Sequence, residues 1–467
     1  MEENEVVGTT PLKASNYNFE GETDVGELAL YNSKTGAIAF IESEREAIAR
    51  AILRHPNAHE ADGELRQWMA DMSFLVSEDT DELADIRAWH ERYRLADNLI
   101  NITLLPAEAC NFKCPYCFVY SQRNKFMAQW VYDAVLTFLE ARFRRQTDDQ
   151  LAVSVSWFGG EPLLATTNIV AFMHRLNGLV RKYKGRVTLR SSLSTNGYTL
   201  TRATFETLLE SGVDEFQVTL DGDRDTHDKL RILKNGRPTF DAIYSNLREV
   251  SKMDVNVQFR FAVRANFLRS NIESMMRLLE RFQGDFGCDD RFSIYYRPVY
   301  NFETTRSDID AVSPAICTLR EGIELQNRLA IAVMKASFAN QDHYFRLFDP
   351  LPRPVYSWCN AERENAFIVG ADGSIFLCDT FITDVDQRLG VIDRAGQIRL
   401  KHSASQWRLS VFEDERCTAC LNCKLLPVCL GGCIRIRVQK GSPACFWTEE
   451  DIREAMLRYP NPARLTE

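Results

Sequence analysis

The sequence predicts an α/β chain in three parts: a small leading α+β domain, a central parallel sheet with helical crossovers, and a loop-rich C-terminal region. Three observations support this. Residues 27–53 have the pattern of a hairpin followed by an amphipathic helix, and strand-like and helical stretches alternate from residue 99 to about 299. Eight of the thirteen cysteines come after residue 346. A chain of 467 residues is expected to contain two to three domains.

The leading domain is placed at residues 1–95 and has a winged-helix-like pattern. Turn residues between Asn32 and Gly36 separate two apolar stretches, Ser43 begins a helix, and HPNAHEADGE ends that helix before a second one. The domain carries 20 acidic and 9 basic side chains, a balance of −11 against −9 for the whole chain. This charge argues against nucleic acid, and it suits either a basic peptide partner or a solvated surface.

Six strand-like runs alternate with helical stretches between residues 96 and 300. The runs are NLINITLL, LAVSVSWF, VTLRSSLS, DEFQVTL, VNVQFRFAV and RFSIYYRPV. This alternation predicts a parallel sheet, either open or curled into a partial (β/α)6 barrel, with ligands at the carboxyl ends of the strands. Three further segments are expected: a bridging loop and helix at 301–345, a loop-rich domain at 346–447, and a final helix and tail at 448–467.

The cysteines indicate metal or redox chemistry. The N-terminus is acidic without the apolar segment of a signal peptide, and no apolar run reaches the roughly 18 residues of a membrane span. We therefore expect a cytoplasmic protein with no membrane or nucleic-acid partner. In that compartment cysteines remain reduced, so thirteen of them favour iron–sulfur clusters or structural zinc over disulfides. Cys288 has no motif partner and is expected to be a small buried residue.

The stretch EACNFKCPYCFVY at residues 108–120 holds three cysteines directly after the first predicted strand. Cys110, Cys114 and Cys117 have the spacing C-x3-C-x2-C, with Tyr116 before the last of them. Three thiolates on a tight loop can hold three irons of a cubane cluster and leave the fourth iron open to a ligand. A zinc loop completed by a distant residue is the alternative.

This loop resembles that of the radical S-adenosylmethionine (SAM) enzymes. The resemblance implies a partial barrel whose open iron binds the amino and carboxylate groups of SAM, so that a 5′-deoxyadenosyl radical can abstract hydrogen from a substrate. It also implies cofactor contacts at the strand ends: Tyr116, Gly159, Gly160, Glu161, Ser194 and Asn196, with Arg260 and Asn266 as weaker candidates. The segment from Leu220 to Arg231 resembles the peptide-modifying branch, although His227 within it suits a buried structural role equally well.

The C-terminal cysteines resemble the seven-cysteine SPASM extension, which binds two auxiliary clusters. The seven are Cys359, Cys378, Cys420, Cys423, Cys429, Cys433 and Cys445. Carried over from that family, one cluster takes Cys420, Cys423, Cys429 and Cys445, and the other takes Cys359, Cys378 and Cys433. The fourth ligand of the second cluster stays open: Cys417 or Cys317 could supply it, or the iron could bind a substrate thiolate. With the first cluster, three [4Fe–4S] clusters are expected.

The resemblance also implies a function. Asp379, directly after Cys378, matches the proposed catalytic base of sulfatase-maturing relatives, although it could equally cap a loop amide. Residues 1–95 resemble an element that binds the leader of a ribosomally made precursor peptide by strand addition. We therefore expect a peptide maturase that installs a cysteine thioether, supplied with electrons by a flavodoxin or ferredoxin. A carbon–carbon crosslink, formylglycine formation on a sulfatase and a non-catalytic iron–sulfur scaffold are the alternatives.

Overall fold

The computed structural model describes residues 11–58, 62–119, 124–145, 150–183, 185–300, 312–336, 351–382 and 384–459. The chain divides into two compact units. The first is drawn from Met1–Tyr93, Asp349–Trp358 and Ser410–Glu467, and the second from Arg94–Phe348 and Cys359–Leu409. The five-part division expected from the sequence concerns functional domains and stays a prediction.

The first unit contains two small antiparallel sheets and several helices. In chain order its first elements are β1 (Leu12–Ala14), β2 (Asn18–Glu22), β3 (Leu28–Asn32), β4 (Ile38–Ile41), α1 (Ser43–Arg54), α2 (Gly63–Asp71), β5 (Leu75–Ser77) and α3 (Glu82–Arg94). The predicted hairpin is β3–β4, and its turn forms because Asn32 Oδ1 accepts from the Lys34 and Thr35 amides at 2.9 and 3.0 Å. The strands β1, β2 and β5 were not predicted.

The second unit contains the central sheet. Its elements are β6 (Leu99–Ala107), α4 (Gln129–Arg145), β7 (Leu151–Gly159), α5 (Thr166–Lys182), β8 (Val187–Thr195), α6 (Arg202–Glu210), β9 (Glu215–Thr219), α7 (Arg224–Leu230), α8 (Phe240–Ser251), β10 (Arg260–Phe267), α9 (Ile272–Phe286), β11 (Phe292–Pro298), α10 (Leu319–Lys335), β12 (Ala366–Val369), β13 (Ser374–Phe376), β14 (Gly390–Ile392) and β15 (Ile398–Leu400).

The six predicted strands are present as a parallel sheet in sequential order, β6 to β11. This confirms the α/β fold class. On the other edge β12 adds to β6 in parallel, and β13, β14 and β15 continue antiparallel, so the whole sheet is mixed. The fifth strand begins at Arg260, later than the predicted VNVQFRFAV run, because its pairing with Glu215–Thr219 and Phe292–Pro298 fixes the register.

The two faces of the parallel sheet differ in polarity. In β7 buried and half-buried residues alternate, and the buried set, including Val153, Val155 and Trp157, packs in the main apolar core. The opposite face carries hydroxyl side chains: Ser156 Oγ lies 2.9 Å from Ser192 Oγ, and Thr103 is paired in register with Ser156. The sheet therefore presents a polar surface beside the carboxyl ends of its strands.

The first unit ends with three helices: α11 (Leu426–Cys429), α12 (Ile434–Lys440) and α13 (Glu449–Leu457). The predicted final helix is α13, which begins where the Thr448 side chain accepts from the Asp451 amide. Cys288, expected to be buried, is exposed, because it follows the end of α9 in a surface turn. Within the described residues, no helix is long and apolar enough to cross a bilayer.

Candidate active site

The three-cysteine loop follows β6 directly. The Lys113 amide donates to the Ile232 carbonyl at 3.0 Å, which ties the loop to the segment after α7. The Phe112 amide donates to Cys110 Sγ at 3.4 Å. Cys114 is buried, while Cys110 and Cys117 are half-buried. The parallel fold thus places the three thiols at the carboxyl end of the first barrel strand, as the sequence predicted.

The donor set fits an iron–sulfur cluster. All three cysteines are free thiols, and they interact electrostatically with one another. Burial raises the pKa of Cys114 to about 12 and that of Cys110 to about 11, so a bound metal is needed to hold them as thiolates at neutral pH. Within the part of the chain that the structure describes, no three His, Cys, Asp or Glu side chains converge as a site for a single metal ion.

Gly159 and Gly160 hold the cysteine loop by close backbone contact. A Cβ on Gly159 would lie 2.3 Å from the Ala107 carbonyl oxygen, and one on Gly160 would lie 2.3 Å from that of Ala109. The Gly160 and Glu161 amides donate to these two carbonyls at 3.0 and 2.8 Å. The glycines are therefore needed for the end of β7 to meet the loop after β6.

Glu161 joins the ends of two strands. Its carboxylate accepts from the Leu163 amide at 3.0 Å, from the Asn196 amide at 2.7 Å and from the Thr195 hydroxyl. The side chain is buried, and burial raises the pKa of the Glu161 carboxyl although these hydrogen bonds favour its charged form. The contacts with Thr195 and Asn196 fix the end of β8 relative to the end of β7 at the site.

Tyr116 connects the cysteine loop to the carboxyl end of β9 and, through Asp221, to β10. Its hydroxyl donates to the buried Asp221 carboxylate and accepts from Arg231 Nη1 at 3.0 Å. Asp221 also accepts from the Asn266 amide at 2.9 Å, and burial raises the pKa of its carboxyl. The sequence predicted a cofactor contact for Tyr116. It did not reveal the hydrogen-bond network that joins Tyr116 to Asp221 and Arg231.

His227 is buried and contacts the same network through Asp221. Its Nδ1 accepts from the Asp221 amide at 3.2 Å, and its Nε2 lies 3.1 Å from Thr239 Oγ1. Burial, with a further contribution from the Arg231 charge, lowers the pKa of His227 well below its usual value. The neutral imidazole supports the segment between β9 and α8, which corresponds to the structural role considered from the sequence.

The remaining predicted cofactor residues divide into two groups. Asn196 donates to Asn111 Oδ1 on the cysteine loop at 2.7 Å, and Ser194 Oγ accepts from Gln217 Nε2 at 3.3 Å. Arg260 instead begins β10, where Nη1 lies 3.5 Å from Glu215, roughly 20 Å along the strand from Asn266. The structure does not bring Arg260 together with the residues at the carboxyl ends.

A cavity of about 230 Å³ lies in the second unit, and the first two cysteines of the SPASM-like motif line it. Cys359, Cys378 and Asp379 line it together with Asn101 and Thr103 of β6. Asp379 is open to the cavity and surrounded by protein, which raises the pKa of its carboxyl, while the charge of Arg264 on β10 opposes that shift. The sequence did not single out Arg264. Cys317 is buried in the main core.

Five later cysteines come together in the first unit. Cys417 and Cys420 belong to the 3₁₀ segment Glu415–Asn422, and both interact electrostatically with Cys429 and with each other. Cys423 and Cys445 contribute to the same group. Arg437 Nη1 donates to Cys417 Sγ at 3.7 Å. Cys433 directly precedes α12, and its side chain makes no capping hydrogen bond there.

Comparisons with known proteins agree with the fold and the cysteine loop. The model of the Radical SAM superfamily matches residues 104–281. The chain therefore carries a radical SAM domain, which confirms the resemblance to that family, and the family implies one [4Fe–4S] cluster and SAM.

Several similar curated proteins are anaerobic sulfatase-maturating enzymes. The cysteine-type anaerobic sulfatase-maturating enzyme of Clostridium novyi is 23% identical over 72% of this chain and 88% of its own length. The serine-type enzyme of Bacteroides thetaiotaomicron is 23% identical over 71% and 81%. A structure of native anSMEcpe with bound AdoMet and the Kp18Cys peptide has a TM-score of 0.55 at 19% identity, covering 79% of this chain and 98% of that one.

Proposed function

We propose that the chain is a radical SAM peptide maturase. The observation that carries the proposal is the Cys110–Cys117 loop at the carboxyl end of β6, held against Gly159 and Gly160 beside a polar sheet face. A peptide substrate is supported by the sulfatase-maturating enzyme structure, which was solved with a peptide bound. The polar face of Thr103, Ser156 and Ser192 offers hydrogen-bonding groups to a peptide backbone.

Cys110, Cys114 and Cys117 would hold the SAM-binding cluster, with the neighbouring strand ends as cofactor contacts. When bound, the cluster and SAM supply a 5′-deoxyadenosyl radical. We assign one auxiliary cluster to Cys420, Cys423, Cys429 and Cys445, and part of a second to Cys359 and Cys378. The assignments of Cys433 to the second cluster and of Cys417 as a possible ligand rest on the motif. A flavodoxin or ferredoxin is the proposed electron donor.

Residues 1–95 are the proposed leader-binding domain. Within the described residues β4 is paired only with β3, so one edge of the three-stranded sheet offers free backbone groups to an added strand. The opposite edge strand, β2, is packed against α13: a Cβ on Gly21 would lie 2.7 Å from the Met456 side chain. Strand addition is therefore proposed at β4.

A cysteine thioether is the proposed product. Its formation replaces one C–H and one S–H bond by a C–S bond: a hydrogen atom leaves the carbon to give 5′-deoxyadenosine, and a proton leaves the thiol. One electron remains and needs an acceptor, for which the auxiliary clusters are proposed. Formylglycine formation is the second candidate, because the similar curated proteins are sulfatase-maturating enzymes. A carbon–carbon crosslink is the third.

Asp379 is the proposed base that accepts the substrate proton. It lines the 230 Å³ cavity, and the raised pKa of its carboxyl makes the carboxylate a better proton acceptor than an aspartate of ordinary pKa. The chain would be coexpressed anaerobically with candidate precursor peptides encoded nearby, and the peptides analysed by mass spectrometry. A thioether lowers the peptide mass by two hydrogens and blocks one thiol from alkylation. A two-hydrogen loss with every thiol still reactive would reject the thioether; a product that then reacts with a hydrazide is formylglycine formed from serine, and one that does not react contains a carbon–carbon link.

A further inference from the structure

A cavity of about 660 Å³ lies in the first unit. Its wall comes from the start of β1, the turn before β2, the start of α3 and the segment from Leu421 to Lys424. The volume falls within the range of small-molecule and side-chain binding sites. Cys423, a proposed auxiliary-cluster ligand, forms part of this wall.

The rim of the cavity is acidic. Asp79 and Asp81 are exposed there, and Asp79 has neither an ion pair nor a hydrogen bond with the described residues. One oxygen of Asp81 accepts from the Ala84 amide at the start of α3. Two lysines also line the cavity, but Lys13 Nζ donates to the carbonyls of residues 78 and 80, and Lys424 Nζ donates to the Asn18 carbonyl at 3.0 Å.

Tyr17 provides a second, independent indication of a ligand. The side chain is 95% buried, being 5% exposed, yet its hydroxyl has no hydrogen-bond partner among the described residues. Tyr17 lies near the carboxylates of Glu82 and Asp81. Its phenol hydroxyl is neutral at physiological pH, so it can donate a hydrogen bond to an acceptor in the cavity.

Glu82 fixes the floor of the cavity. Its carboxylate accepts from Ser15 Oγ at 2.6 Å and from the Asn16 amide at 2.8 Å, so it is already satisfied within the protein. Asp79 and Asp81 are the charged lining groups left for a ligand, and the Tyr17 hydroxyl is a donor in addition to the polar side chains of Asn16, Thr80 and Asn422. Together the two carboxylates and the hydroxyl suit a ligand with a cation and a carbonyl acceptor.

We propose that this cavity binds an arginine or lysine residue of the peptide partner, with the cationic head at Asp79 and Asp81 and a peptide carbonyl at the Tyr17 hydroxyl. This inference rests on the proposed function, which supplies a peptide partner. It assigns that peptide a basic residue and a binding position next to Cys423.

The test uses the full, cluster-loaded chain and two probes: acetyl-Ala-Arg-Ala amide and the same peptide with neutral citrulline. Binding is measured by calorimetry or saturation-transfer NMR. The arginine peptide is expected to bind about tenfold more tightly than the citrulline peptide, as two exposed ion pairs allow. Equal affinity for the two peptides would overturn the proposal.

Three variants locate the contacts. Asp79→Asn removes a rim charge from a side chain without structural partners, and it should reduce the preference for arginine severalfold. Tyr17→Phe should weaken both peptides by a similar factor, because the carbonyl is common to both. Asp24→Asn, an exposed acid of the same domain outside the cavity, should change neither affinity. An Asp79→Asn protein with an undiminished preference for arginine would contradict the assignment.

The proposed catalytic function and the cavity assignment can fail separately. An enzyme that releases 5′-deoxyadenosine but does not distinguish arginine from citrulline retains the proposed function and loses the cavity assignment. A chain that binds the arginine peptide selectively but produces no 5′-deoxyadenosine loses the proposed catalytic function instead.

Discussion

Replacing Gly160, which directly follows β7, with alanine should displace the cysteine loop that follows β6. The added Cβ would lie 2.3 Å from the Ala109 carbonyl oxygen and 2.6 Å from that of Glu108, and both are backbone atoms that cannot rotate away. Overpacking of this kind destabilises by roughly 1–3 kcal/mol. The same shift breaks the hydrogen bond from Glu161 N to Ala109 O, now 2.8 Å long, for about 1 kcal/mol more. The expected loss is roughly 2–4 kcal/mol.

The assay is urea unfolding of the second unit together with iron analysis after anaerobic reconstitution. Gly160→Ala should lower the unfolding midpoint and reduce bound iron by about four atoms per chain, because the displaced loop carries the proposed ligands of one [4Fe–4S] cluster. Gly284→Ala is the matched control: it lies inside α9 with nothing within 4 Å of its Cβ, and should stabilise by about 0.5–1 kcal/mol. A Gly160→Ala protein with normal iron and a normal midpoint would show that the close contact of Gly160 with Ala109 does not position the cysteine loop.

Three further predictions follow from single side chains. Asp379→Asn should leave SAM cleavage intact and abolish the peptide product, and normal product from this variant would remove Asp379 as the base. In the parent enzyme, product formation should be lost with decreasing pH at a higher pH than an aspartate of ordinary pKa would give, since the surrounding protein raises the Asp379 pKa. Tyr116→Phe deprives the buried Asp221 carboxylate of a donor and should destabilise by roughly 1–3 kcal/mol in urea unfolding, whereas Tyr198→Phe, an exposed contact, should change stability by less than about 0.5 kcal/mol. His227 stays neutral in the folded protein and binds a proton in the unfolded chain below pH about 6.5. The free energy of unfolding should therefore fall below that pH, by up to ~1.4 kcal/mol per pH unit for this residue. A His227→Gln protein with the same acid sensitivity as the parent would contradict this.

The sequence predicted the parallel strands well because each is a short run rich in apolar and β-branched residues, which alternate with half-buried residues in β7 and β9. The same pattern cannot fix where a strand begins, and this is why β10 starts at Arg260 and not near Val255. The short strands β12 to β15, of three or four residues each, exist because the sheet edge at β6 offers partners for pairing. Their length is too small for periodicity to reveal.

The site was predictable where chemistry depends on spacing along the chain. The cysteine loop is of this kind, since C-x3-C-x2-C after a strand fixes both the ligands and their place in the fold. The Tyr116–Asp221 contact is different, because the two residues are separated by 105 positions and meet only through the order of β6, β9 and β10. The glycines at 159 and 160 were predicted as contacts of the cofactor, whereas their backbone contact with the cysteine loop needed the register of β7 against β6.

The loop of Cys110, Cys114 and Cys117 is proposed to support reductive cleavage of SAM. The direct measurement is the release of 5′-deoxyadenosine by the reconstituted chain incubated anaerobically with SAM and dithionite. The parent protein and Cys288→Ala, which changes an exposed cysteine outside all motifs, should both release it, and Cys114→Ala should not. A fully iron-loaded parent protein that releases no 5′-deoxyadenosine would contradict the account.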